Sequence, residues 1–254
     1  MTAREDFADD AGSLFNLITG YSAPPAWKRF AIAPLGLKER VIELIDREAG
    51  SGSRGRIIAK MNALVDPDVI DALYRASQAG VQIDLLVRGI CCLQPGVPGQ
   101  SENIRVSSVV DHFLEHARIF FFEAGGKQEV YLSSADWMPR NFVRRIEVMF
   151  PIDDKALRDR VLNEILATQL ADNVKAQRLL ADGSYERVVA DNGAAAVRSQ
   201  EAFIALARKR SQTVAAPSAQ AEVTSGGVLI ARPKPAPATA GAGLATTPPP
   251  IVVS

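Results

Sequence analysis

Between Phe30 and Gly89 short apolar runs alternate with amphipathic stretches, and this rhythm limits the fold more than any other feature. FAIAP (Phe30 to Pro34), RIIAKMN (Arg56 to Asn62) and VQIDLLVRG (Val81 to Gly89) have strand length. Between the first two, Leu37 to Glu48 places Val41, Leu44 and Ile45 on one helical face. Between the second and third, Asp66-Pro67 supplies an N-cap and a first-turn proline for a helix through Val69, Ile70, Leu73 and Tyr74, closed by Gly80. A β-α-β-α-β order with short apolar strands predicts parallel strands in an α/β sheet.

The pattern then changes. IRVSSVV (Ile104 to Val110), RIFFFE (Arg118 to Glu123), EVYLSS (Glu129 to Ser134) and RIEVMF (Arg145 to Phe150) read as strands with little helix between them, and Gly125-Gly126 marks a hairpin turn. The predicted sheet is therefore mixed. Helices are expected over Glu5 to Thr19, over Asp153 to Leu180 and from about Ala194 to Lys209. No internal repeat is visible.

At 47% hydrophobic residues the 254-residue chain has the material for a core. Its 29 basic and 29 acidic side chains cancel, which argues against a general nucleic-acid or membrane-surface binder. From Ser211 to Ser254 only Glu222, Arg232 and Lys234 are charged, and the segment holds seven of the fifteen prolines. Such a composition predicts a disordered tail, with VLIA (Val228 to Ala231) as a weak edge-strand candidate. The expected organisation is a lead-in helix and linker over 1–24, one domain with a helical extension over 25–210, and the tail over 211–254. The acidic start, MTAREDFADD, lacks signal-peptide character, and no stretch has membrane-spanning length. A cytoplasmic location is expected, with peripheral attachment to the inner membrane as the alternative.

Two histidines, His112 and His116, restrict any imidazole chemistry to one short segment. His116 and Arg118 share a strand face just before an apolar run, a pairing suited to an anion, although a strand-end histidine beside a solvated arginine reads equally plainly. A cation at Arg118 would lower the imidazole pKa. Arg88, ending a buried strand, stands where α/β proteins place ligand groups. Its planar fork suits phosphate oxygens, with a rim salt bridge as the alternative. Lys60 and Asn62 end the neighbouring strand on one face. Ser133 to Asn141, at another strand end, suits either a phosphate-contacting loop or an ordinary capped turn, and Arg144-Arg145 opens the next strand. Cys91 and Cys92 have no C-x-x-C partner and read as buried small apolar side chains. His112 reads as structural. No P-loop and no G-x-G-x-x-G occurs.

The strings LVRGICCLQPGVPGQSENIRVSSVVDHFLEHARIFFF and YLSSADWMPRNFVRRIEVMFPI, with IAPLGLK and IIAKMNALVDPDVIDALYRAS, resemble the C-terminal part of bacterial polyphosphate kinases of the type 1 family, over about Asp6 to Asp191. The resemblance implies a phospholipase-D-like mixed sheet flanked by helices. It implies reversible transfer of the terminal phosphate of ATP to a histidine and then to polyphosphate, with Mg²⁺. In that family two pseudo-symmetric domains share one active site, and the phosphorylated histidine lies in an H-A-K motif of the first. His116 matches the second domain's histidine in L-E-H-x-R. Arg88 matches an ATP-contacting arginine and Arg145 a phosphate-site arginine, while Arg118 is expected to add phosphate-binding charge. The H-A-K motif is absent from this sequence, so the phosphohistidine and most Mg²⁺ ligands are expected on a missing N-terminal half, with a split gene product or a truncated reading frame as the expected origin. Expected partners are ATP, polyphosphate, that half and a second copy of the chain, with no nucleic acid. The alternatives are a non-catalytic nucleotide- or polyphosphate-binding remnant and a stand-alone phosphodiesterase.

Overall fold

A computed structural model of the protein describes residues 4–20, 26–190 and 195–215. Its elements run α1 (Glu5–Ile18), β1 (Ala31–Ala33), α2 (Leu37–Ser51), β2 (Arg56–Met61), α3 (Pro67–Gln78), β3 (Gln82–Val87), β4 (Ile104–Val109), β5 (Arg118–Phe122), β6 (Glu129–Ser133), α4 (Pro139–Arg144), β7 (Glu147–Pro151), α5 (Lys155–Arg160), a π-helical segment (Val161–Leu166), α6 (Ala167–Leu170), β8 (Ala176–Leu179), β9 (Tyr185–Arg187) and α7 (Ser199–Ala215). The strands form one sheet in the order β1-β7-β6-β5-β2-β3-β4-β8-β9. The β2–β3 and β3–β4 pairings are parallel. The remaining pairings, from β1–β7 to β8–β9, are antiparallel. The mixed α/β architecture is as the sequence predicts, but β1, expected among the parallel strands, lies at the sheet edge antiparallel to β7.

Side-chain alternation explains the layers. Ile57, Ala59, Met61, Leu85, Val87, Phe120 and Phe122 point to one face, where Val41, Leu44 and Ile45 of α2 and Val69 and Leu73 of α3 bury them. Their neighbours in sequence, Ile58, Leu86, Ile119 and Phe121, point to the other face and meet Leu166 together with Leu162 and Ile165. Asp66 caps α3 by accepting hydrogen bonds from the Asp68 and Val69 amides, both at 3.2 Å, with Pro67 in the first turn. Between β5 and β6 the turn uses Gly125 and Gly126 at φ 67° and 102°, a region that favours glycine. In α1, Asp10 is buried and accepts from the amides of Lys28, Arg29 and Phe30, which fixes the approach to β1.

Three expectations change. The stretch expected as one helix to Leu180 is helical only to Leu170, and Ala176–Leu179 joins the sheet as β8, paired antiparallel to β4. The last helix starts at Ser199 rather than near Ala194 and continues to Ala215, past the expected domain end at 210. Residues Pro139 to Arg144, read as part of a loop, form the short helix α4. The linker at 21–24 and the tail from 216 onward, including VLIA, lie outside the described residues. Among the described residues no helix is long and apolar enough to cross a membrane.

Candidate active site

The strand registers bring one set of strand ends together. Arg118, opening β5, pairs with Ser133 at the end of β6, and Ser133 pairs with Met149 of β7. Lys60 pairs with Ile119 beside the end of β2, and Met61 pairs with Val87 at the end of β3. Asn62, Arg88, His116, Arg118, Asp136 and Arg145 therefore all stand at the edge beyond the carboxyl ends of the parallel strands. Open α/β sheets place ligand sites at this edge.

His116 is exposed, and its support comes from behind. The Arg118 guanidinium lies 3.0 Å from His116 Nδ1 and 3.2 Å from Nε2, and Nη1 also donates to the His116 carbonyl at 2.9 Å. Arg118 is itself held by Asp136, with Nε on Oδ1 at 3.1 Å and Nη2 on Oδ2 at 2.8 Å. Asp136 also accepts from the amides of Asn62 at 2.7 Å and Ala63 at 3.2 Å. Its side chain is 4% exposed. Burial alone would raise its pKa, but the Arg118 hydrogen bonds and these amides outweigh it and hold the carboxyl below its ordinary value. Asp136 is the site residue that sequence reasoning missed. It lies within the quoted SSADWMPRN string, but nothing in the spacing links it to Arg118.

Arg88 donates from Nε to Asn62 Oδ1 at 2.7 Å. No hydrogen bond or ion pair among the described residues engages its two Nη groups. Next to it, the Gly89 N–H donates to the Asn62 carbonyl at 2.8 Å, a close approach in which a Cβ would sit 3.0 Å from that oxygen. Asn62 thus reaches the same edge as Arg88. Lys60 instead turns into the sheet's second face and pairs with Glu115 at 2.8 Å. Arg145 is exposed, its nearest acid being Glu147 at 3.9 Å. Arg140 and Arg144 of α4 are exposed beside it.

Other expectations are corrected. Arg118 is not a free cation, because Asp136 neutralises its fork. The hydroxyls of Ser133 and Ser134 serve the β6–β7 junction. Ser133 Oγ donates to the Val148 carbonyl and accepts from the Ala135 amide, and Ser134 Oγ bonds Glu147. The capped-turn reading therefore describes them. Cys91 is half-buried, and burial pushes its thiol up to about 11, in line with an inert side chain, but Cys92 is exposed. Among the described residues no group of three or more His, Cys, Asp or Glu side chains is placed to hold a metal ion.

Fold and edge define a mixed α/β domain with an exposed histidine, held from behind by a buried arginine–aspartate pair and flanked by arginines suited to phosphate. Residues 30–200 match the family model "Polyphosphate kinase C-terminal domain 2", and the chain belongs to that family. It is 51% identical over 204 residues to a polyphosphate kinase of Rhodopirellula baltica, covering 79% of this chain and 24% of the relative. It is 49% identical over 215 residues to polyphosphate kinase 1 of Chlorobaculum tepidum, covering 84% and 30%. The crystal structure of polyphosphate kinase from Porphyromonas gingivalis superposes with a TM-score of 0.79 at 42% identity, covering 84% of this chain and 33% of that one. The chain thus spans about a quarter to a third of the length of these proteins.

Proposed function

We propose that this edge is one half of a phosphoryl-transfer site for ATP and polyphosphate, completed by a second polypeptide segment that carries the nucleophilic histidine. The observation that carries the reading is Arg88: its fork is aimed by Asn62 while both Nη groups stay available, at the same edge as His116. Two parallel N–H donors of this kind match two phosphate oxygens. In the forward direction the bond between the γ-phosphorus and the bridging oxygen breaks, ADP leaves, and a phosphorus–nitrogen bond forms on the other segment's histidine. A terminal oxygen of the polyphosphate chain then takes the phosphoryl group. Such transfer depends on positioning and on neutralising oxygen charge. Arg88 and Arg145 supply that charge, His116 contacts the transferring group or moves its proton, and Arg118 holds the imidazole. Mg²⁺, when bound, would add charge neutralisation from ligands on the other segment.

An apolar rim supports the second segment. Ile90, Val110, Phe113, Leu114 and Ile146, on loops at this edge, and Val143, on α4, are all more than half exposed. A cluster of exposed apolar side chains around a polar site is characteristic of a surface that another body covers. Isothermal titration of the full chain with ATP tests the arginine assignment. Binding is expected, weakened tenfold or more by Arg88→Ala, the equivalent of about 1.4 kcal/mol. Arg105→Ala, which lies in an ion pair with Asp84 away from the edge, is expected to bind ATP like the parent. Equal affinity for the parent and Arg88→Ala would contradict the reading.

A further inference from the structure

The segment between β4 and β5 carries His116 without regular secondary structure, and its apolar side chains do not fix it. Phe113 is 62% and Leu114 67% exposed. The loop is instead fastened at three points by polar groups from distant parts of the chain. Asp111 receives the Arg198 fork, Nε and Nη2 each at 2.7 Å. Both main-chain groups of Phe113 are read by the Gln200 amide, which accepts from the Phe113 N–H at 2.9 Å and donates to its carbonyl at 2.8 Å. The same Gln200 nitrogen donates to Glu115 Oε1 at 2.8 Å. Glu115 Oε2 accepts from Lys60 Nζ at 2.8 Å and Gln169 Nε2 at 2.6 Å.

One carboxylate, next in sequence to His116, is thus held by β2, α6 and α7 together. On the other side of His116, Arg118 is held by Asp136. Asp172 fixes where α7 begins, accepting from the Ser199 amide at 2.8 Å and hydroxyl at 2.7 Å. Lys60, Glu115 and Gln169 also line a small crevice together with Arg88, so the clasp reaches the second proposed phosphate group. We propose that Glu115 and Gln200 are positioning residues, and that the first turn of α7 is the clasp that presents His116 at the sheet edge. The consequence for turnover rests on the function proposed above, whereas the structural claim does not.

The chemistry is specific to these side chains. Glutamine at 200 offers the acceptor and two donors that three bonds require. Glutamate there would face Glu115 with like charge, and leucine would leave the Phe113 main chain unpaired. The test uses the full chain with Gln200→Leu, Gln200→Glu and, as a control away from the loop, Arg105→Ala in the Asp84 ion pair. With only two histidines, ring ¹H–¹⁵N spectra report His116 directly. In both Gln200 variants the His116 ring signals are expected to move toward free-peptide positions, and amide exchange over residues 112–116 to accelerate at least tenfold. The central strands should keep their protection, and Arg105→Ala should leave the His116 signals in place. Unchanged His116 signals and exchange in a folded Gln200 variant would overturn the proposal. If Gln200→Leu does not fold, Gln200→Glu carries the same reading. In a mixture of the full chain with the remaining part of a polyphosphate kinase, Gln200→Glu is expected to lower kcat at least tenfold with KM for ATP within twofold. A loss confined to KM would overturn the proposal. Failure of the parent mixture to make polyphosphate would sink the proposed function alone, leaving the spectra to decide the clasp.

Discussion

Asp136 organises the site although it faces no ligand. Its two oxygens take two bonds from Arg118 and two from main-chain amides at the end of β2, so one carboxylate ties β5 to the turn that also aims Arg88 through Asn62. Removing one member of a buried ion pair leaves the other uncompensated, at a cost of about 3–5 kcal/mol. Asp136→Asn is accordingly expected to lower the thermal midpoint by roughly 10 °C, measured by calorimetry. A change within about 2 °C would show that the pair is not structural. Asp136, Asp84 and Glu115 all titrate lower in the folded chain than unfolded, because hydrogen bonds from Arg118, Arg105 and Lys60 respectively help outweigh their burial. Their stabilisation is therefore complete above the unfolded value, about pH 4, and is lost as the pH falls through the folded values. The melting temperature should stay level from pH 7 to about 5 and drop below about pH 4; a continued rise on acidification would contradict the assignment. The strand-end positions of His116, Arg88 and Arg145 are legible in the sequence because each sits at the end of an apolar run. Asp136, Glu115 and Gln200 are not, because their roles come from partners 18 to 87 residues away.

At the scale of elements, the strands of the central sheet are readable from period and burial alone. The β2 and β5 side chains serve two cores, and each run is apolar on both faces. The misread segment is 171–180. Continuing the helical spacing past Leu170 ignores Asp172, whose carboxylate accepts the amides of Val174, Lys175 and Ala176 and turns the chain into β8. The segment Lys155 to Leu170, interrupted by its π-helical turn, covers the second sheet face through fully buried Leu166. Leu166→Ala should cost about 2–5 kcal/mol through lost transfer and a cavity. Urea unfolding is expected to show this as a lower midpoint with an unchanged slope. An unchanged midpoint would mean that the helix contributes little to closing that face.

At the scale of the molecule, the described residues account for a folded domain of the family, whereas the relatives are about three times as long as the chain. The other histidine of the sequence, His112, is exposed on the same loop, and no H-A-K motif occurs in the sequence. The zero net charge hides local differences: many arginines are matched to nearby acids, whereas no ion pair among the described residues engages Arg88, Arg140 or Arg144 at this edge. The most direct measurement combines the full chain with the preceding part of a polyphosphate kinase, such as that of Porphyromonas gingivalis, in ATP and Mg²⁺, and follows labelled phosphate into polyphosphate. The account predicts synthesis that requires both components and falls at least a hundredfold with His116→Ala, about 2.7 kcal/mol of lost transition-state stabilisation. Equal synthesis with His116→Ala, or synthesis by the preceding part alone at the same rate, would contradict it.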